Sequence, residues 1–394
     1  MPSQFDKILD RRASSNSIKW HLFDEDILPM WVADMDFAAP PPILGALHGA
    51  IGHGVLGYEF PSKQLRQNVA ERMKKLYAWD VKAEDVVPVP GLVTGFNIAA
   101  RITCQPGEGI LIQPPVYFPF MKVQKNTDTV MQVAELKKVT HRHTLHHEID
   151  WDIFENAVHS EDAKTSMFLF CHPHNPTGTI YTNEELARIA DICEREDILI
   201  CSDEIHSELL LDGNKHTPIA AISPEAAQRT VTLIAASKTF NVAGLFVGFA
   251  IIQNEEIRKK FQADLEKLTF HTNSLGHIAS EVAFAGECDD WLEELLVYLT
   301  ENRDFIVKYV KENMPGVRVS NPDATFLTFL DFSELLEKGE VEEPLHTFFM
   351  EKGKVAFNEG ASFGPGGEGF VRLNFGCPRE TLVEGLERMK AALR

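Results

Sequence analysis

The sequence predicts an α/β protein: a mostly parallel sheet sandwiched by helices in a large domain, joined to a smaller α+β domain. Three observations carry that expectation. Short apolar runs alternate with stretches of helical spacing, the pattern that strand–helix–strand units leave in a sequence. The 394 residues suffice for two or three compact units at about 150 residues each. Past about residue 280 the texture changes to one long amphipathic stretch followed by short strand and helix patterns.

Residues 1–42 read as an N-terminal segment packing on the small domain, with the proline run Ala38-Ala-Pro-Pro-Pro-Ile43 as its linker. The large domain is expected over 43–280. Its buried strands are Val86 to Pro90, Gly109 to Gln113, Ser166 to Cys171, Asp197 to Ser202, Val231 to Ala236 and Val247 to Ile252. Each is an apolar run of strand length bounded by turn residues. Helices lie between them, such as Asn183 to Glu196, which Thr182 caps and whose first-turn glutamates face the positive end of the helix dipole. The small domain is expected over 281–394. There Trp291 to Met314 forms one helix stopped by Pro315, and strands follow near Val317 and over Thr325 to Phe332. Helices at Pro344 to Lys352 and Pro378 to Arg394 flank a strand over Phe370 to Phe375.

Composition narrows the function classes. Hydrophobic residues at 44% and charged residues at 24% match a folded globular chain and exclude wholesale disorder. A net charge of −20 speaks against nucleic acid and anionic membrane as partners, because no domain-wide surplus of Lys or Arg exists to neutralise phosphates. The six cysteines are scattered without a Cys-x-x-Cys pair and read as reduced, buried thiols. A polar N-terminus and the lack of an apolar run long enough to span a bilayer make the cytoplasm the expected address.

In parallel sheets, ligands sit beyond the carboxyl ends of the strands. After the first strand comes Gly91-Leu-Val-Thr-Gly95, opening a helix whose N–H groups can face an anion such as a phosphate, or merely making a tight turn. After Cys171 comes His172-Pro-His-Asn-Pro-Thr-Gly178, which presents the Asn175 amide. Its two histidines have no partner at a recurring ligand spacing, so no metal is expected. Asp203-Glu-Ile-His206 puts a carboxylate at the next strand end. Such a group can cap a helix, or, desolvated beside a cationic ring nitrogen, hold that nitrogen protonated. Ser237-Lys238 follows the next strand. Most lysines are solvated, but one desolvated in a cleft has a lowered pKa and can form a Schiff base.

An anion-binding helix start, an Asn loop, a strand-end Asp and a strand-end Lys, in this order, together meet the needs of pyridoxal phosphate. In these motifs the sequence resembles the fold-type I pyridoxal-phosphate enzymes of the class I/II aminotransferase superfamily, over essentially the whole chain. It is most similar to their cystathionine β-lyase (C–S lyase) branch. That likeness runs through Leu28-Pro-Met-Trp-Val-Ala-Asp-Met-Asp-Phe37, Asp203-Glu-Ile-His206 and Ser237-Lys-Thr-Phe-Asn-Val-Ala-Gly-Leu245. The resemblance implies a sheet of the seven-stranded type. It also implies that Lys238 carries the cofactor as a Schiff base, Asp203 pairs with the ring nitrogen, Asn175 bonds the ring 3-oxygen and Tyr117 stacks on the ring. His206 stands where many aminotransferases have a Tyr near that oxygen; as a bland alternative it is a satisfied core histidine. The phosphate would lie on Gly91, Leu92 and Val93 with Ser237, and with Tyr58 reaching across from the other subunit of a homodimer. Arg372, in Phe370-Val-Arg-Leu-Asn-Phe-Gly376, matches the arginine that grips the substrate α-carboxylate, helped by Asn175 and the backbone near Val32 and Ala33.

The chain also departs from the family. Gly244-Leu-Phe-Val-Gly248 has Phe246 where aminotransferases commonly carry an arginine for the phosphate, and Ala235 replaces a frequent Ser. Phosphate binding then rests on the helix start, Tyr and Ser contacts. The implied reaction is β-elimination from cystathionine, cystine or related S-substituted cysteines to thiol, pyruvate and ammonia. An aminotransferase using the same residues is the alternative, and the Trp31 segment and His206 tilt the reading to the lyase. A non-catalytic regulatory protein on the same fold would be marked by loss of Lys238, Asp203 or Arg372, all of which are present. Elsewhere, His141-Arg-His-Thr-Leu-His-His147 is expected as a polar surface connection and Gly360 to Gly369 as a mobile loop lining the cleft entrance.

Overall fold

The computed structural model describes residues 3–269 and 271–394. A seven-stranded sheet runs in the spatial order Val86–Val89, Gly248–Ile251, Thr230–Ile234, Leu199–Asp203, Thr165–Cys171, Gly109–Ile112 and Val130–Val133. Neighbours are parallel except Gly248–Ile251, which is antiparallel to both of its partners. The expected strands are all present, and Val130–Val133 adds an edge. Along Thr165–Cys171 every residue is buried, as a strand covered on both faces requires. Met167, Leu169 and Cys171 face a helical layer containing Phe96, while Phe168 and Phe170 face another containing Leu186 and Ile189. The second layer includes Asn183–Arg195, whose start is fixed by a capping box between Thr182 and Glu185.

A six-stranded sheet runs in the order Asn358–Glu359, Phe370–Asn374, Leu327–Asp331, Arg318–Ser320, Thr144–Glu148 and Lys137–His141. The helix Asp289–Asn313 packs along it. Its last two strands overturn the expectation of a polar connection over the histidine cluster. Lys137–His141 and Thr144–Glu148 form an antiparallel hairpin that docks parallel to Arg318–Ser320. Leu145 and His147 are buried while His146 and Glu148 are exposed, the period of two of a strand with one covered face. Histidines on both faces hide that alternation from a reading of hydrophobicity.

The N-terminal segment lies against this second layer. Leu28–Pro29 pairs parallel with Val355–Ala356, and Phe5 meets Trp291 edge-on at 5.4 Å. The proline run is not a free linker, because Pro41 and Pro42 form the first turn of the helix Pro41–His53, where a missing N–H costs nothing. All six cysteines are buried and free. Among the described residues no helix is long and apolar enough to cross a membrane.

Candidate active site

The carboxyl ends of the central strands open into a cavity of about 430 Å³. Gly91 takes φ +86°, which lets the chain leave Val86–Val89 and enter the helix Leu92–Thr103 at the cavity wall. Leu92 and Val93 border the cavity from the first turn, where backbone N–H groups have no intrahelical acceptor. Ser237 borders the same space, and so does Phe246, which is 70% exposed and held at φ +49°.

Asp203 ends the strand Leu199–Asp203, buried at the cavity floor. Its side chain accepts a hydrogen bond from the Ile205 N–H at 3.2 Å. Burial pushes its carboxyl up to about 7, against the opposing pull of that bond and of Lys238. Lys238 projects from the short helix Ala236–Thr239 and donates from Nζ to the Ala33 carbonyl at 2.6 Å. Enclosure of the amine pushes its pKa down to about 8; Asp34 opposes that shift and Arg372 adds to it. His206 is buried on the same wall, lowered to about 3 by desolvation and by the charges of Lys238 and Arg372, and is therefore neutral. Among the described residues its Nδ1 finds no hydrogen-bond partner. Tyr117 is half-buried in the wall, its phenol raised to about 12 by burial and the nearby Asp203.

Arg372 enters from the second sheet. Nη1 donates to Asn175 Oδ1 at 3.0 Å, and Nη2 donates to the Trp31 carbonyl at 3.0 Å and to Asn358 Oδ1 at 2.7 Å. Burial lowers its pKa to about 10, which still leaves a cation at neutral pH. All these partners are neutral, so the fork is matched to an incoming carboxylate. The guanidinium lies 4.9 Å over the ring of Phe363. This changes the place of Gly360 to Gly369: the stretch packs behind Arg372 and lines no part of the cavity. The Phe363 carbonyl accepts from Val116 N at 2.8 Å, and a Cβ on Gly360 or Gly367 would collide with the facing backbone.

The expected residues Ala33, Asn175, Asp203, His206, Ser237, Lys238 and Arg372 thus meet in one cavity with Gly91, Leu92, Val93 and Tyr117. Tyr58 does not join them. It is 91% exposed, with its ring stacked 5.0 Å from His271. Sequence reasoning missed three amides. Asn358 holds Arg372, Asn374 donates to the Val32 and Asp34 carbonyls at 2.6 and 2.7 Å, and Asn241 bonds the backbone of Met35 and Phe37. Asn374 shares a strand face with Arg372 and Asn241 lies inside the Ser237 to Leu245 motif, which were the available signals. The carbonyls of Val32 and Ala33 face Asn374 and Lys238, so N–H groups are what this backbone can offer a carboxylate. Among the described residues no group of three or more His, Cys, Asp or Glu is placed to hold a metal ion.

The family model for class I and II aminotransferases matches residues 45–389. The chain is 38% identical to the cystathionine β-lyase PatB of Bacillus subtilis over 99% of each protein. It is similar to the PLP-bound C–S lyase of Staphylococcus hominis, with a TM-score of 0.91 and 30% identity over 99% of this chain and 98% of that one. Cystalysin of Treponema denticola, whose structure contains a pyridoxal 5′-phosphate cofactor, gives a TM-score of 0.91 and 30% identity over 100% and 99%. The overall fold is the fold-type I architecture that the motifs implied. By sequence over nearly its full length and by structure, the chain belongs to the class I and II aminotransferase family.

Proposed function

We propose that the protein is a pyridoxal-phosphate-dependent C–S β-lyase, which cleaves S-substituted cysteines such as cystathionine or cystine to a thiol, pyruvate and ammonia. The buried Asp203 carboxylate carries this reading. It has one hydrogen bond from the backbone and a pKa raised by burial, so a cation placed against it relieves an uncompensated charge. A protonated pyridine nitrogen is such a cation. The rest of the wall fits the same group: a helix N-terminus suited to a phosphate, an amine of lowered pKa suited to an aldehyde, and an unpartnered His206 Nδ1. The names of the relatives support the lyase outcome.

When bound, pyridoxal phosphate supplies an electron sink and an electrophilic carbon that no side chain provides. The chain's own residues do the rest. Arg372 takes the α-carboxylate in its fork and so fixes Cα relative to Lys238. Lys238, with a pKa near 8, is partly neutral at neutral pH and removes the proton from Cα. It then delivers that proton to the departing sulfur, so the thiol leaves neutral. Asp203 would hold the ring nitrogen protonated as its ionised partner, and Asn175 and neutral His206 would supply hydrogen bonds to the ring oxygen. Water closes the balance, with substrate and water giving thiol, pyruvate and ammonia.

The exposed apolar side chains of Leu56, Tyr58 and Phe60 support a homodimer in which Tyr58 completes the partner's phosphate site. The free, buried cysteines support a cytoplasmic address. The two sheets support a division into an N-terminal segment 1–42, a large domain 43–280 and a small domain 281–394, with the hairpin Lys137 to Glu148 lent to the small domain's sheet. The test is incubation of cofactor-loaded protein with cystathionine and no keto acid, following pyruvate and thiol. Sustained release of both over many turnovers is expected. Bleaching of the cofactor band without sustained pyruvate, reversed by a keto acid, would instead identify an aminotransferase.

A further inference from the structure

The roof of the cavity, Trp31 to Ala33, and the adjoining Asp34 present their carbonyls to side chains in and beside the site. Trp31 accepts from Arg372, Val32 and Asp34 from Asn374, and Ala33 from Lys238, all within 3.0 Å. Such a row of carbonyls, in irregular backbone between the strand Leu28–Pro29 and the helix Pro41–His53, keeps its aim only if something behind it holds it. Behind it lies the N-terminal segment. Lys19 is 1% exposed and donates to Asp36 Oδ2 at 2.7 Å and to the Asp34 carbonyl at 3.3 Å, with the Asp34 carboxylate 3.8 Å away. Arg11 bonds both carboxylates, at 2.8 Å to Asp34 and 2.7 Å to Asp36, and Trp20 Nε1 donates to Asp36 at 2.9 Å. Two cations and two carboxylates therefore neutralise one another, with Lys19 and Asp36 out of water and Arg11 and Asp34 partly exposed at the rim, and breaking the buried half from one side is costly.

We propose that Lys19 is a positioning residue: through Asp34 and Asp36 it sets the roof segment, and with it the Ala33 carbonyl against Lys238 and the Trp31 carbonyl against Arg372. Lys19 itself lines no part of the cavity. The inference rests on the reading that Lys238 carries the cofactor. The charged or titratable groups around Lys238 are Asp34, Arg372, Asp203 and neutral His206, and those around Asp34 are Arg11, Lys19 and Lys238. Lys19→Met leaves Asp34 less neutralised, so a nitrogen at position 238 holds its proton to higher pH. Asp34→Asn removes a negative charge and acts in the opposite direction.

The test compares cofactor-loaded wild type, Lys19→Met and Asp34→Asn by spectral pH titration of the cofactor band, by KM and kcat for cystathionine, and by melting temperature. The expected result is an upward shift of the titration in Lys19→Met and a downward shift in Asp34→Asn. In Lys19→Met, KM rises roughly tenfold or more because the carboxylate grip is misaimed, and kcat falls less. A folded, loaded Lys19→Met with a lowered melting temperature but unchanged titration and KM would reduce Lys19 to packing and overturn the proposal. Should Lys19→Met not fold, Asp34→Asn decides alone, and an unchanged titration and KM in that variant overturns it equally. A wild-type protein with no cofactor band overturns the reading of Lys238 itself, an outcome distinct from an unresponsive variant.

Discussion

Lys238 Nζ stands 2.6 Å from the Ala33 carbonyl oxygen, joining residues 205 positions apart in the chain. That neutral acceptor takes one of the amine's hydrogen bonds without compensating its charge. Enclosure then dominates, and the amine titrates near 8 in place of its ordinary 10.5. A lysine so held is available as a nucleophile and base at a pH where a surface lysine is not.

Loading of the cofactor-free protein with pyridoxal phosphate should follow this shift. The neutral amine is the reacting form, so the rate should rise with pH and level off just above 8. Rapid-mixing absorbance across pH 6 to 11 gives the profile. A rate still climbing beyond pH 10 would show an ordinary lysine.

Replacing Lys238 by Ala should remove the visible band and lower turnover by roughly a thousandfold or more, the upper part of the range for loss of a general base. The fold should survive, because the side chain's described hydrogen bond is the single one to Ala33. Retained turnover with an intact circular dichroism spectrum would remove Lys238 from the chemistry.

Asp203 couples stability to pH with a defined sign. Its folded pKa of about 7 lies above the ordinary 3.8. Between those values the folded, cofactor-free protein keeps a proton that the unfolded chain has lost, so stability is greatest below the lower value and falls as pH rises through the upper. Cofactor-free wild type should therefore lose melting temperature between pH 5 and pH 8 relative to Asp203→Asn. The same variant, once loaded, should lose about a hundredfold or more in turnover, as when a preorganised electrostatic partner is removed. Parallel melting curves for the two proteins would refute the assignment.

Much of this site could be read from the chain because parallel strands put their chemistry at predictable places. Asp203 and Lys238 each follow an apolar run across a single serine, and the helix at Gly91 begins where a glycine breaks one. The hairpin at His147 escaped because burial of an imidazole and exposure of its neighbour look alike in composition. Asn374, Lys19 and Arg11 escaped for another reason. They act on the backbone of residues 32–36 through contacts that only the folded chain creates, some of them 340 positions apart. Local periodicity carries no trace of such pairs.

Arg372 should separate binding from turnover. Its fork spans Asn175, Asn358 and the Trp31 carbonyl, a planar arrangement that an ammonium does not reproduce. Arg372→Lys and Arg372→Ala should both raise KM for the amino acid by roughly 10- to 100-fold, as expected for loss of a charge-assisted hydrogen bond. The cofactor band should be retained in both. An unchanged KM in steady-state kinetics would place the α-carboxylate elsewhere.

Tyr58 offers the sharpest test of the proposed assembly. Within one chain it lies outside the cavity, exposed and stacked on His271, so any role in phosphate binding needs a second subunit. Tyr58→Ala should weaken cofactor binding, and Lys238→Ala should be inactive. Mixed and allowed to exchange subunits, the two variants form hybrids in which one of the two sites has both Lys238 and the partner's tyrosine intact. Turnover should then exceed the sum of the separate preparations. If Tyr58 acts within its own chain, each hybrid site carries one lesion, as in the separate preparations, and mixing adds nothing. Size-exclusion chromatography of the wild type at matching concentration distinguishes absent complementation from absent dimers.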